Sequence, residues 1–247
     1  MNAITVSVGY DDLLAITLPG MSEVFERVCV VTDMHDHETA LVAESRDNVF
    51  VHRTDAFTRD GTTFNKGLAL EEGLDMLGRQ GWLCVIDADI LMPKPVRCGL
   101  LEPGWLYGAK RKLCTEPARW RESWQNWRVV RERELGGYFH LFHGSDTALE
   151  ERPWYGIDWR HAGGCDSEFE ARWPSKRRRN LPFQVLHLGP LKTNWWGRQS
   201  ERLDGLEAAG ASQAGGLMEE MIQRRKQGDR DWERMPQPAQ ETDHVGD

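Results

Sequence analysis

No apolar run in the sequence approaches the ~18 residues needed to cross a bilayer, and Met1 to Val6 carry neither a basic region nor a signal-peptide cleavage pattern. The expectation is a cytoplasmic protein. Cysteine is sparse: Cys29, Cys84, Cys98, Cys114 and Cys165 are odd in number, scattered, and never spaced C-x-x-C. That argues against both a disulfide framework and a structural zinc site. Cys29 and Cys84 fall inside apolar strand-like runs and read as small core residues. An excess of positive charge is also missing, since 31 basic against 39 acidic residues leave a net charge of -8. The whole surface is therefore no magnet for polyanions. Basic character is local, in 111–133 and in Lys176-Arg177-Arg178-Arg179, where it reads first as solvated loop and second as steering for an anionic substrate. No internal repeat is visible.

What is present suits one α/β domain, or one domain with appendages, over 247 residues with 40% hydrophobic content. Ile4 to Val8 alternates like a buried strand, and Leu13 to Arg27 reads as a helix interrupted near Pro19. Val28 to Val31 is a second strand ending at Thr32-Asp33, His37 to Arg46 looks helical, and Val49 to Val51 is a third strand. Asn65 to Arg79, apolar at Leu68, Leu70, Leu74 and Leu77, is an amphipathic helix closing near Gly78 and Gly81. Trp82 to Ile86 is the clearest strand and leads directly into Asp87-Ala88-Asp89. Alternation of this kind implies a mostly parallel central sheet with helices on both faces, a Rossmann-like arrangement. Ligands then bind beyond the carboxyl ends of the strands, where Tyr10-Asp11, Asp33 and Asp87-Asp89 all fall.

Past Pro93 the pattern loosens. Leu106 to Ala109 and Tyr138 to Phe142 read as strands flanking an insert whose Trp120, Trp124 and Trp127 share one helical face, a spacing that favours core packing. Asp166 to Trp173 reads as a short helix after Gly163-Gly164, and Gln184 to Leu188 as a last strand. Helix broken by glycine is expected over 200–227, then a polar tail. The domain plan is 1–198, with halves 1–92 and 93–198, a C-terminal helical extension over 199–228, and a disordered tail over 229–247.

Asp87 and Asp89 carry the chemistry. Two apart at a strand end, their carboxylates would leave the same face, and they would repel unless a cation joined them. A hard divalent ion takes carboxylate and phosphate oxygens together, so it could hold the diphosphate of a sugar nucleotide and stabilise a leaving group.

Phe64-Asn65-Lys66-Gly67-Leu68-Ala69-Leu70-Glu71-Glu72-Gly73, followed by Trp82 to Pro93, resembles the GT-A glycosyltransferases, especially glycosyltransferase family 2. Gly163-Gly164-Cys165-Asp166-Ser167-Glu168-Phe169 is similar to the Gly-Gly-x-Asp-x-Glu-Phe segment of family 2 and of galactosyltransferase-type enzymes, and His187 resembles a later metal-binding histidine. The resemblance covers roughly 4–198. It implies a GT-A fold and a metal-dependent glycosyltransferase, inverting by direct displacement. Asp33 would contact the donor base, Tyr10 and Asp11 would line its pocket, and Lys66 would lie near the nucleotide. Asp87, Asp89 and His187 would hold Mn²⁺ or Mg²⁺, Asp87 also facing the donor. Asp166 or Glu168 would be the base; two apart on a helix they cannot both face the acceptor, and Asp166 is favoured. Trp196 and Arg198, in Asn194-Trp195-Trp196-Gly197-Arg198, would form a lid stacking on sugar and meeting diphosphate, or else packing that anchors the C-terminal helices. Plainer readings stand beside these: Asp33 as a helix cap, His187 as a satisfied core residue, Lys66 as a solvated helix-start cation, and Asp166 as a cap.

The first strand lacks the Pro-x-Tyr/Asn-Glu run often seen in family 2, and the absence of Gln-x-x-Arg-Trp and of a membrane segment argues against a processive polysaccharide synthase. A nucleotidyltransferase acting on a sugar phosphate is the nearest rival, although Gly9-Tyr10-Asp11-Asp12 offers no phosphate loop with a following lysine. A non-catalytic sugar-binding module is the other. The donor expected foremost is a UDP-sugar. A glycan, a small molecule, a protein, a lipid-linked sugar or a hydroxymethylated DNA base all suit as acceptor.

Overall fold

The first strands are apolar on both faces, and because successive side chains point to opposite sides both faces must be covered by helices. In the computed structural model, which describes residues 1–116, 119–124, 127–130, 135–191, 193–200, 202 and 203, Ala3, Val28, Val30, Cys84 and Ile86 point into one core and Ile4, Cys29, Val31, Leu83 and Val85 into a second. These strands are β1 (Asn2–Val6), β2 (Arg27–Asp33) and β4 (Trp82–Ile86). The first core is closed by α1 (Asp11–Val24) and α2 (His37–Ala43), the second by α3 (Lys66–Leu77) and α4 (Cys165–Ala171). Each valine, leucine or isoleucine side chain so buried contributes about 1.5–3 kcal/mol before entropy is charged against it. The described residues fall in one compact unit.

The sheet has eight strands among the described residues, the others being β3 (Val49–Thr54), β5 (Ile90–Leu91), β6 (Leu106–Cys114), β7 (Phe139–His143) and β8 (Arg178–Leu188), in the order β3-β2-β1-β4-β7-β6-β8-β5. β1, β2, β3 and β4 run parallel, as does the pair β6 and β8. β7 is antiparallel to both β4 and β6, and β5 to β8. The sheet is therefore mostly parallel with helices on both faces, a Rossmann-like α/β fold, and it runs through both expected halves.

Several expectations need correcting. Pro19 lies inside α1 without interrupting it. Its missing N–H costs one intrahelical bond, but buried Leu14, Leu18 and Met21 hold the helix on both sides of it. Trp120, Trp124 and Trp127 do not share a helical face. Among the described residues no helix spans them; they pack on the first core from irregular backbone that Lys112 fastens through a 3.0 Å bond from Nζ to the Trp124 carbonyl. Asp87-Ala88-Asp89 is a turn beyond β4 rather than strand, closed by Ile90 N–H donating to the Asp87 carbonyl at 3.1 Å, so strand alternation does not set its side chains. The expectations for 204–247, the greater part of the C-terminal extension and all of the tail, lie outside the described residues. No described helix is long and apolar enough to cross a membrane.

Candidate active site

Beyond the carboxyl ends of β1 and β4 lies an open cavity of about 800 Å³, where parallel α/β sheets ordinarily bind ligands. Tyr10, Lys66, Asp87, Asp89, Asp166 and His187 all line it. Each is delivered by a separate local device. Asn65 caps α3, its side chain accepting from Leu68 N–H at 3.0 Å and donating to the Ile157 carbonyl at 2.6 Å. That fixes the first residue of the helix, Lys66, facing inward and only 6% exposed. The acidic turn is held from beneath, Thr17 Oγ1 donating to the Ala88 carbonyl at 2.6 Å. Short β5 pairs with β8, placing Ile90 opposite His187 and bringing His187 Nε2 to 3.7 Å from Asp89 Oδ2.

The centre of the site is an ion cluster around the buried Lys66, with Asp87 and Asp166 partly open to the cavity. Lys66 Nζ donates to Asp87 Oδ1 at 2.8 Å and to Asp166 Oδ2 at 3.1 Å. Burial alone would pull the lysine toward neutrality, but Asp166 and Asp87 outweigh it and hold the ammonium well above the ordinary lysine range. Asp166 responds the other way: burial pushes its carboxyl up to about 6, with Lys66 pulling it back and Asp87 adding to the rise. Asp89 is also raised, by burial first, with His187 opposing and Asp87 assisting. The Tyr10 phenol is raised too, through burial and then the charges of Asp89 and Asp87, and stays protonated.

Close approach to Asp166 demands a glycine. A Cβ on Gly137 would stand 2.3 Å from Asp166 Cβ and 2.4 Å from its Cγ and Oδ2. Gly136-Gly137 before a strand was the available signal, and sequence reasoning passed over it. At Gly164, where φ is 115°, a Cβ would meet the Trp159 ring at 2.5 Å, so that space belongs to an indole and not to a substrate.

The remaining expected residues stand outside the cavity. Glu168 turns away from Asp166 and accepts a 2.8 Å bond from Trp159 Nε1. Asp33 accepts from His35 N–H at 2.9 Å, while the cap of α2 is Asp36, which accepts from Thr39 N–H at 3.1 Å and from Gly9 N–H at 2.6 Å. Sequence reasoning missed Asp36, although Asp three residues before Thr39 is a cap pattern. Asp11 is held by both terminal nitrogens of Arg202, at 2.7 and 2.6 Å. Arg198 grips Asp12 with both of its own and also donates to the Gly9 carbonyl at 2.6 Å, its guanidinium 5.0 Å above the Tyr10 ring. Trp196 lies on the surface beside the cavity-lining Trp195.

The residues expected to hold a divalent ion have the chemistry for it. Asp89 Oδ1, Asp166 Oδ1 and His187 Nδ1 are buried without a hydrogen-bond partner, while the ammonium of Lys66 is bonded to Asp87 and Asp166. As the side chains stand, no group of three His, Cys, Asp or Glu among the described residues is drawn together tightly enough to enclose an ion.

No family model matches the chain, and no curated protein matches it. Among solved structures it is similar to 4-diphosphocytidyl-2C-methyl-D-erythritol synthase from Anaerococcus prevotii, at 12% identity over 74% of this chain and 86% of that one, with a TM-score of 0.41. It is also similar to a putative glucose-1-phosphate thymidylyltransferase from Bacillus anthracis in complex with a sucrose, at 12% identity over 73% and 85%, with a TM-score of 0.43. The fold assignment rests on the topology described above.

Proposed function

We propose that the chain is a transferase that moves a glycosyl group from a nucleotide-diphosphate sugar to an acceptor hydroxyl. The observation that carries this is Asp166: a carboxylate lining the cavity beside Lys66, with its affinity for a proton raised to about 6. Such a group is ionised at neutral pH yet basic enough to take a proton, the range in which general bases work well. In the reaction the acceptor O–H gives its proton to Asp166 while its oxygen bonds the anomeric carbon. The bond from that carbon to the phosphate oxygen breaks, and nucleoside diphosphate leaves. Lys66, bonded to both Asp166 and Asp87, orients the base relative to the acidic turn. Tyr10 stays protonated and offers the donor a hydroxyl. Asp89, Asp87 and His187 are the donor set that would hold Mn²⁺ or Mg²⁺, an ion that when bound neutralises charge on a departing diphosphate.

Nucleotidyl transfer to a sugar phosphate is the second reading, and Arg198 is what favours it. A guanidinium stands at Tyr10, in the loop after β1, where a triphosphate would need a cation. Against it, Arg198 is already committed to Asp12, and α1 opens with two acids. The test offers a panel of nucleotide sugars with Mn²⁺ and candidate acceptors, and separately nucleoside triphosphates with sugar phosphates. Release of nucleoside diphosphate, lost in Asp166→Asn, supports glycosyl transfer. Pyrophosphate release transfers the assignment to the second reading, and no turnover with either panel leaves a non-catalytic sugar-binding module.

A further inference from the structure

Three tryptophans stand exposed together at the rim of the cavity. Trp159 is 37% exposed, Trp195 45% and Trp196 55%, an unusual cost for a surface unless something covers it. His161 joins them. Its ring lies 4.4 Å from that of Trp196, 6.4 Å from Trp195 at an interplanar angle of 9°, and 6.2 Å from Trp159. The rings come from two separate segments, which Ala162 N–H joins by donating to the Trp195 carbonyl at 2.8 Å.

Hydrogen bonds hold the rings in place. Trp159 Nε1 is anchored on Glu168 at 2.8 Å, and His161 Nδ1 accepts from Gly163 N–H at 3.0 Å. Trp195, Ala162 and Gly163 also line the cavity that holds Asp166, so platform and base share one continuous surface.

We infer that this four-ring platform is the acceptor subsite and that it takes a neutral saccharide, the C–H face of a pyranose lying on the indoles. The inference rests on the glycosyl-transfer reading for the word acceptor, but not for the binding itself. Charge decides the class. Arg160 donates to the Gly61 carbonyl at 2.8 Å, Arg198 is spent on Asp12, and Arg202 on Asp11. A nucleic acid would bring phosphates to a rim where Arg198 and Arg202 are already neutralised by carboxylates and Arg160 keeps its charge but holds a backbone carbonyl, whereas a saccharide brings hydroxyls and an apolar face. Aromatic rings with fixed polar neighbours are the usual lining for such a ligand.

The experiment reads binding without donor and without turnover, so its failure is separable from failure of the transfer reaction. Intrinsic tryptophan fluorescence is followed while the full chain is titrated with disaccharides ending in glucose, galactose, mannose or N-acetylglucosamine, and with a short single-stranded DNA. The expected result is saturable quenching by at least one saccharide, weakened roughly tenfold or more (about 1.4 kcal/mol) in Trp196→Ala and in His161→Ala. Trp196 is exposed and His161 half-buried, and an unchanged thermal midpoint certifies the fold. Absence of saturable quenching across the panel at millimolar saccharide overturns the inference, as does equal affinity in both variants. DNA binding that depends on Trp196 and weakens with salt also overturns it, in favour of a nucleic-acid acceptor.

Discussion

Lys66 Nζ lies 2.8 Å from Asp87 Oδ1 and 3.1 Å from Asp166 Oδ2, so one ammonium joins the acid that follows β4 to the acid that opens α4. The three side chains come from sequence positions up to 100 apart, and the helix cap at Asn65 sets the one between them. Replacing Lys66 by Met leaves two carboxylates facing each other in a largely buried place, which costs about 3–5 kcal/mol for an unpaired buried charge. Asp166 then loses the cation that pulls its pKa back down, so Lys66→Met loses the most stability at high pH and regains part of it on acidification. Urea denaturation at pH 5 and pH 8 checks the sign.

Asp166 predicts an acid limb in the rate. With its pKa pushed up to about 6, kcat/KM of the transfer reaction falls below that pH and levels off above it. Asp166→Asn loses about 10²–10⁴-fold in rate at neutral pH without that limb, while Glu168→Gln, on the far side of the helix and tied to Trp159, retains it. A pH profile of all three proteins is the measurement.

His140 predicts an acid-sensitive fold. It is wholly buried between Tyr155 and Phe169, with Nδ1 3.1 Å from the Tyr155 hydroxyl, and burial drives its pKa down to about 3. Between there and the ordinary histidine value of about 6.5, the unfolded chain binds a proton that the folded chain refuses. This group therefore costs stability as pH falls, by up to about 1.4 kcal/mol per unit. Asp166, raised in the folded state, acts oppositely over part of that range, so the comparison is between wild type and His140→Gln. The variant loses less stability than wild type between pH 7 and pH 5.

Gly137 predicts a positioning effect. Gly137→Ala drives a methyl against the Asp166 carboxyl, and either the acid or the backbone must shift. Misplacement of a reacting group by about 1 Å can cost on the order of 100-fold. The expected outcome is a fall in kcat with substrate affinity little changed, and a displaced acid limb if Asp166 loses its contact with Lys66.

Much of this was legible in the sequence because it depends on period. Alternation in 4–8, the apolar runs at 28–31 and 82–86 and the helical spacing of 65–79 identify strands and helices, and the carboxyl ends of those strands locate the acids. The divergence of positions two apart on a helix correctly separates Asp166 from Glu168. What the sequence did not display depends on long-range partners. The commitment of Asp11 and Asp12 to Arg202 and Arg198, more than 180 residues away, removes Asp11 from the open pocket. Two-residue β5 is too short for any periodic signal, yet it carries Asp89 to His187. The Trp spacing at 120–127 imitates a helix because aromatic rings can reach a core from irregular backbone as well as from a helical face.

Asp89, Asp87 and His187 are proposed to form a cation site in the same cavity as Asp166. Anomalous scattering from crystals grown with Mn²⁺ and a nucleoside diphosphate tests it most directly. The expected result is a manganese peak bounded by Asp89 and the diphosphate oxygens, absent in Asp89→Ala. A peak elsewhere, or a diphosphate seated in the cavity with no manganese beside it, would contradict the claim.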